Sequence, residues 1–227
     1  PMQPESVEQK LQIQPLTQGR FSWEEDTLIF TPAQPWPSGE EINVMLEAGA
    51  RSKWGLPLLG EQHWSFSINP PLLAYLWPND GPADLYAIDL VDNFITRLTE
   101  QPNGILAYDI GIDGNQIYYS VRLNAQNSAI FRLERLDSTV SQILLCTDVL
   151  CNFPQLSPEG EAIAYTRAPS NPESEPFPQQ VWLLPIVDGN PASSSQARLA
   201  SDPTHPVGAP FWSPNGLLTF HDSVLQG

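Results

Sequence analysis

The chain has 227 residues, 41% of them hydrophobic, enough for one large or two modest domains with real cores. Lys and Arg number 10 against 26 Asp and Glu, a net charge of −16, and the acidity is shared between residues 1–68 and the remainder. Nucleic acid is therefore excluded as a partner, because affinity for it depends on Lys and Arg neutralising phosphates, and an anionic membrane surface is disfavoured for the same reason.

The 24 Pro and 14 Gly are scattered among Val, Ile, Leu and aromatic residues, a pattern of many short strands separated by turns. No apolar run approaches the roughly 20 residues of a membrane helix. No membrane insertion is expected within the chain, no signal peptide precedes Pro1, and the opening residue reads as that of a mature or trimmed product.

Residues 1–69 form a first region. Ser6-Val7-Glu8-Gln9 has capping-box form and predicts a short helix through Leu11. Period-2 segments follow at Gly19–Trp23, Thr27–Thr31, Glu41–Leu46 and His63–Ile68, with turn residues between them, and predict a small antiparallel β domain. In order, Phe21-Ser22-Trp23, Leu28-Ile29-Phe30-Thr31-Pro32, Pro37-Ser38-Gly39-Glu40, Leu46–Arg51, Gly55-Leu56-Pro57-Leu58 and Trp64-Ser65-Phe66 follow a known pattern. It resembles the bacterial Ig-like domains of secreted and surface proteins. That resemblance implies a β-sandwich that opens at Pro1-Met2 without its first strand or strands.

From residue 70 onward a repeat takes over. Pro154–Tyr165, with Ser157-Pro158-Glu159-Gly160, recurs as Pro210–Phe220, with Ser213-Pro214-Asn215-Gly216, and more weakly as Asp109–Tyr119 around Gly114. Units of roughly 40–50 residues made of short strands predict β-propeller blades. Three strands of a first blade are expected at Leu73–Leu76, Asp84–Leu90 and Ile95–Thr99. Four of a second are expected near Leu106–Ile112, Gln116–Val121, Ala129–Leu136 and Ser141–Leu145. A third blade runs from Phe153 to Leu199, and a fourth begins at Pro210. The polar stretches Ala168–Gln179 and Ser193–Ser195 read as mobile loops of the third blade. In the repeated turn, Pro presets φ, the acidic or amide residue bonds back to the backbone, and Gly takes the left-handed conformation. Residues 72–222 resemble the propeller repeats of TolB and the non-catalytic propellers of prolyl oligopeptidases. The predicted class is all-β, an Ig-like sandwich followed by about three and a half blades. Such a count leaves a ring unclosed, with edges at Leu73–Leu76 and Gly216–Phe220 open to further blades or another subunit.

Cys146 and Cys151 are the only cysteines. Their short spacing at a blade junction favours a disulfide, hence an oxidising compartment; two buried free thiols are the alternative, and zinc lacks further ligands nearby.

A search for chemistry finds none. There is no G-x-S-x-G, H-E-x-x-H, phosphate loop, dinucleotide fingerprint or EF-hand spacing, so neither catalytic nor cofactor residues are assigned. His63, His205 and His221 read as isolated, Glu24-Glu25-Asp26 and Glu40-Glu41 as solvated turns, and Asp80, Asp84 and Asp89 as turn caps rather than a calcium site. Trp23, Trp64 and Trp212 fall in strand patterns and are expected in the core. Trp36, Trp54 and Trp77 fall in or beside turns, where an exposed ring grips a protein partner or a carbohydrate, or packs across a loop.

These readings converge on a non-enzymatic, extracytoplasmic binding or assembly module of a bacterial surface or periplasmic protein. Two alternatives remain: the regulatory propeller of a peptidase whose catalytic domain lies outside this sequence, and a subunit of a larger cell-envelope assembly.

Overall fold

A computed structural model describes residues 1–69, 71–171, 177–187 and 190–223. Contacts divide the chain into two units, Pro1–Leu73 with Ile88–Phe94, and Ala74–Ala87 with Ile95–Gly227. Pro70, where the sequence places its boundary, lies outside the described residues.

The first unit opens with helix α1, Pro4–Glu8. Its start is set by Pro4, whose fixed φ suits a first helical position. The expected capping box is not made: Gln3 is the N-cap and forms no side-chain bond, while Ser6 Oγ accepts from the Arg51 N–H at 2.9 Å. Leu11 does not end the helix but opens β1, Leu11–Gln14, a strand too short to register in the sequence pattern. The others follow as β2 (Gly19–Glu24), β3 (Thr27–Pro32), β4 (Glu41–Leu46) and β5 (Gln62–Ser67). β1, β4 and β5 form one antiparallel sheet in that order, and β2 and β3 a hairpin. Register places Ile13, Val44 and Trp64 side by side, and Ile42 beside Phe66, on one apolar face.

The rest is a partial β-propeller. Its first blade has β6 (Leu72–Trp77), β7 (Asp84–Asp89) and β8 (Ile95–Arg97); its second has β9 (Ile105–Ile110), β10 (Gln116–Arg122), β11 (Ser128–Glu134) and β12 (Thr139–Cys146). The third has β13 (Val149–Leu156), β14 (Ala162–Pro169) and β15 (Gln180–Val187), extended by the two-residue strands β16 (Asn190–Pro191) and β17 (Arg198–Leu199), which both pair with β15. β18 (Phe211–Trp212) and β19 (Leu218–Thr219) make a final two-stranded sheet. β6 pairs only with β7 and β19 only with β18 among the described residues, so the two edges named from the sequence are open. Of the stretches read as mobile loops, Ala168 and Pro169 belong to β14 and Ser194–Gln196 form a 3-10 turn; residues 172–176 lie outside the described set.

The repeated turn has a common geometry. Gly114, Gly160 and Gly216 sit at φ of 69°, 74° and 78°, and each donates its N–H to the carbonyl three residues earlier, at 2.9, 2.9 and 3.0 Å. The locking side chain differs from expectation in two of the three turns. It is the leading serine: Ser157 Oγ accepts from the N–H groups of Glu161 and Ala162, and Ser213 Oγ from that of Leu217. Where Gly111 stands in place of serine, Asp113 Oδ1 takes over, accepting from the Asn115 N–H at 2.9 Å.

Each blade buries one face against the next, because a sheet hydrophobic on both faces is stable only between neighbours. Leu85, Ile105, Ile117, Tyr119, Val121 and Leu133 form one such core, joined by Ala74 and Leu76 from the first blade. Ile130, Leu144, Cys146, Val149, Cys151, Tyr165 and Leu184 form the next. Burial there pushes the Tyr165 phenol up to about 12. Cys146 and Cys151 form a disulfide inside this core, tying β12 to β13. Both residues lie within strands rather than between them.

Candidate interaction surfaces

Buried polar side chains in the propeller are used to join strands and blades. Ser128 Oγ donates to the Val149 carbonyl at 3.0 Å and accepts from the Cys151 N–H at 2.7 Å. Ser120 Oγ donates to Asn152 Oδ1 at 2.6 Å, and the Tyr108 hydroxyl reaches the Ala74 carbonyl at 2.8 Å. Asp109 Oδ2 accepts from the Leu156 N–H at 2.8 Å; burial pushes its carboxyl up, partly offset by that bond.

Asp84 is the centre of the densest network. It is 6% exposed and accepts from Arg97 Nη2 at 2.6 Å, the Thr99 hydroxyl at 2.9 Å and the Gln101 N–H at 2.8 Å. Thr99 in turn accepts from the Leu85 N–H, and Gln101 Nε2 donates to the Tyr119 hydroxyl. Asp84 is legible in the sequence as a turn cap, but its partners are not, lying 13 to 17 residues away. Its charge is already matched by the Arg97 guanidinium. No group of three His, Cys, Asp or Glu able to hold a metal occurs among the described residues.

Among the described residues the three histidines form no Ser-His-Asp relay. His221 Nδ1 lies 3.1 Å from Ser223 Oγ, but the carboxylate of Asp222 meets a different imidazole, His205, at 3.2 Å. A relay needs one imidazole bonded to hydroxyl and carboxylate at once. His63 is exposed and meets Glu61 at 3.0 Å. Asp26 pairs with Lys53, and Asp89 accepts from the Val91 N–H, both as surface contacts.

The tryptophans divide by their N–H groups. Four donate inward: Trp23 to Glu8, Trp36 to Thr17, Trp182 to Gln180 and Trp212 to the Gln155 carbonyl. Trp54, Trp64 and Trp77 have no such partner among the described residues and are 73%, 49% and 57% exposed. Trp64 was expected in the core; it is exposed because β5 is an edge strand whose apolar face is only partly covered.

The three candidate aromatics are not brought together. Trp36 packs between Phe30 and Phe66, at ring-centroid distances of 6.1 and 5.3 Å. Trp54 stands at a loop tip with exposed Leu56 and Leu59. Trp77 joins a cluster the sequence reading missed. Tyr75 and Trp77, two residues apart on β6, share the face opposite Ala74 and Leu76, and both rings meet Tyr86 of β7 at 5.8 Å, one stacked and one edge-on. Strand alternation in Leu73–Trp77 was the available signal; the contribution of Tyr86 depends on pairing. The first blade thus turns one face to the core and presents an aromatic platform on the other.

No family profile and no curated protein matches the chain by sequence. Solved structures do match by fold. A protein of Agrobacterium tumefaciens assigned as TolB is 20% identical, with a TM-score of 0.51 over 82% of this chain and 71% of its own. TolB from Acinetobacter baumannii is 14% identical, with a TM-score of 0.50 over 79% of this chain and 42% of its own. A puromycin-hydrolyzing peptidase of Mycobacterium tuberculosis is 14% identical at a TM-score of 0.48, covering 84% and 37%. At such identities the likeness establishes the propeller fold alone.

Proposed function

We propose that the chain is a non-enzymatic binding or assembly module that works outside the cytoplasm in a bacterial surface or periplasmic protein, with an Ig-like unit ahead of a TolB-like propeller. One observation carries the reading. Buried polar groups are spent on joining strands and blades, while exposed Trp77 and half-buried Tyr75 and Tyr86 make one aromatic cluster on the outer face of the first blade. Rings with an apolar body and a free polar tip are the side chains that anchor protein partners. The Cys146–Cys151 disulfide supports an oxidising compartment, and the net charge of −16 supports a protein rather than a nucleic acid as partner.

The purified chain is expected to show no esterase or peptidase turnover above blank on generic substrates and no labelling by a fluorophosphonate. Turnover that disappears on replacing Ser223, His221 or any other single Ser or His would overturn the reading.

A further inference from the structure

The N-terminal unit has an interior its own strands do not fill. Between the β1-β4-β5 sheet and the β2-β3 hairpin lies an open cleft of about 430 Å³, walled by Trp23, Phe30, Trp36, Val44, Trp64 and Phe66. The N–H groups of Trp23 and Trp36 are already bonded, at 2.8 and 2.9 Å. Trp23 and Trp36 therefore offer ring faces, and with Phe30, Val44 and Phe66 they make the lining mainly apolar, the Trp64 indole and the Asp26 carboxylate being its polar groups, so an occupant must bring mostly hydrocarbon.

The same cleft adjoins an open strand edge, since β5 pairs with β4 alone among the described residues. The Ile68 N–H donates to the Glu40 carbonyl, and on the other side of β4 the Glu47 N–H donates to Lys10. With the register Ile42↔Phe66 and Val44↔Trp64, these two bonds fix the parity. Gln62, Trp64 and Phe66 bond inward to β4, whereas His63, Ser65 and Ser67 turn their N–H and C=O groups outward. Backbone groups at the free edge thus accompany Trp64 and Phe66 side chains aimed into the cleft. Neither β4 nor β5 carries Lys or Arg, Glu41 opens β4, and Glu40 and Glu61 flank the two strands. A second copy of this chain would bring the same net charge of −16.

We propose that this is a strand-acceptor site. An extended segment of a partner protein, apolar at alternate positions and basic at the others, pairs with the outer edge of β5 and lays its apolar side chains in the cleft. Main-chain hydrogen bonds supply affinity and the alternating pockets supply specificity. The inference deepens the binding-module reading by naming a partner class, and it concerns a different unit from the Trp77 platform, so either can fail alone.

The test uses the full chain and a short synthetic peptide alternating valine and lysine. Binding should shift tryptophan emission to the blue and slow amide exchange at His63 and Ser65 about tenfold. Ser65→Pro removes an outward N–H while leaving the ladder to β4 intact and should weaken binding about tenfold. Trp64→Ala, which leaves the backbone unchanged, should weaken it about as much. A valine–glutamate peptide, and a valine–lysine peptide N-methylated on its edge-facing amides, should not bind. Absence of binding, or binding that both variants leave unchanged, overturns the proposal. So does a dimer of the chain that Ser65→Pro dissolves, which would make the occupant a second copy.

Discussion

Replacing Asp84 with Ala should lower the unfolding free energy of the propeller unit by about 3 kcal/mol at pH 7, because the Thr99 hydroxyl, the Gln101 N–H and the Arg97 guanidinium lose their common buried acceptor. Burial alone would push this carboxyl up, but hydrogen bonds from Arg97, Gln101 and Thr99, with the Arg97 charge, outweigh it and hold it below the usual range. A carboxylate depressed in the folded state stabilises above its unfolded value of about 4 and loses that contribution as pH falls further, through the folded value. Urea titrations of both proteins should therefore show a gap that is full at pH 7 and shrinks below about pH 4. An equal gap at both ends would mean that Asp84 acts by packing alone.

Gly104→Ala should be comparably severe, at about 3 kcal/mol, since it combines left-handed backbone with a collision. Gly104 sits at φ +75°, and a Cβ there would lie 2.7 Å from the Ala83 nitrogen and 2.8 Å from the Pro82 Cα. These are backbone atoms of the segment that receives the Ile105 N–H at 2.7 Å, so they cannot swing aside. Gly160→Ala is the internal control. Its φ of +74° is nearly the same but a Cβ there meets nothing within 4 Å, so only the backbone cost of about 1 kcal/mol applies. Matched thermal melts giving equal losses for the two variants would remove the collision from the explanation.

The repeat made the propeller legible, because Ser157-Pro158-Glu159-Gly160 and its counterparts are turns whose local chemistry is written in adjacent residues. The strands of the second blade were readable near their observed ranges, although β10 is buried at consecutive residues from Ile117 to Val121 and only the β9–β10 connection is such a turn. What escaped detection was non-local. The partners of Asp84 and the meeting of Tyr86 with Tyr75 and Trp77 exist only after strands pair. Trp64 has the alternation of a core residue and becomes exposed because of where β5 lies in its sheet, a property of topology rather than of the segment.

The central claim, that the exposed aromatic platform recognises a partner, is tested most directly by site-specific photo-crosslinking in cells. A photoreactive phenylalanine analogue at position 77 should give a discrete protein adduct that weakens on Tyr86→Ala. The same analogue at Leu136, which is 70% exposed on the second blade, should give none. A position-77 signal no stronger than that at 136, or one indifferent to Tyr86→Ala, would contradict the account.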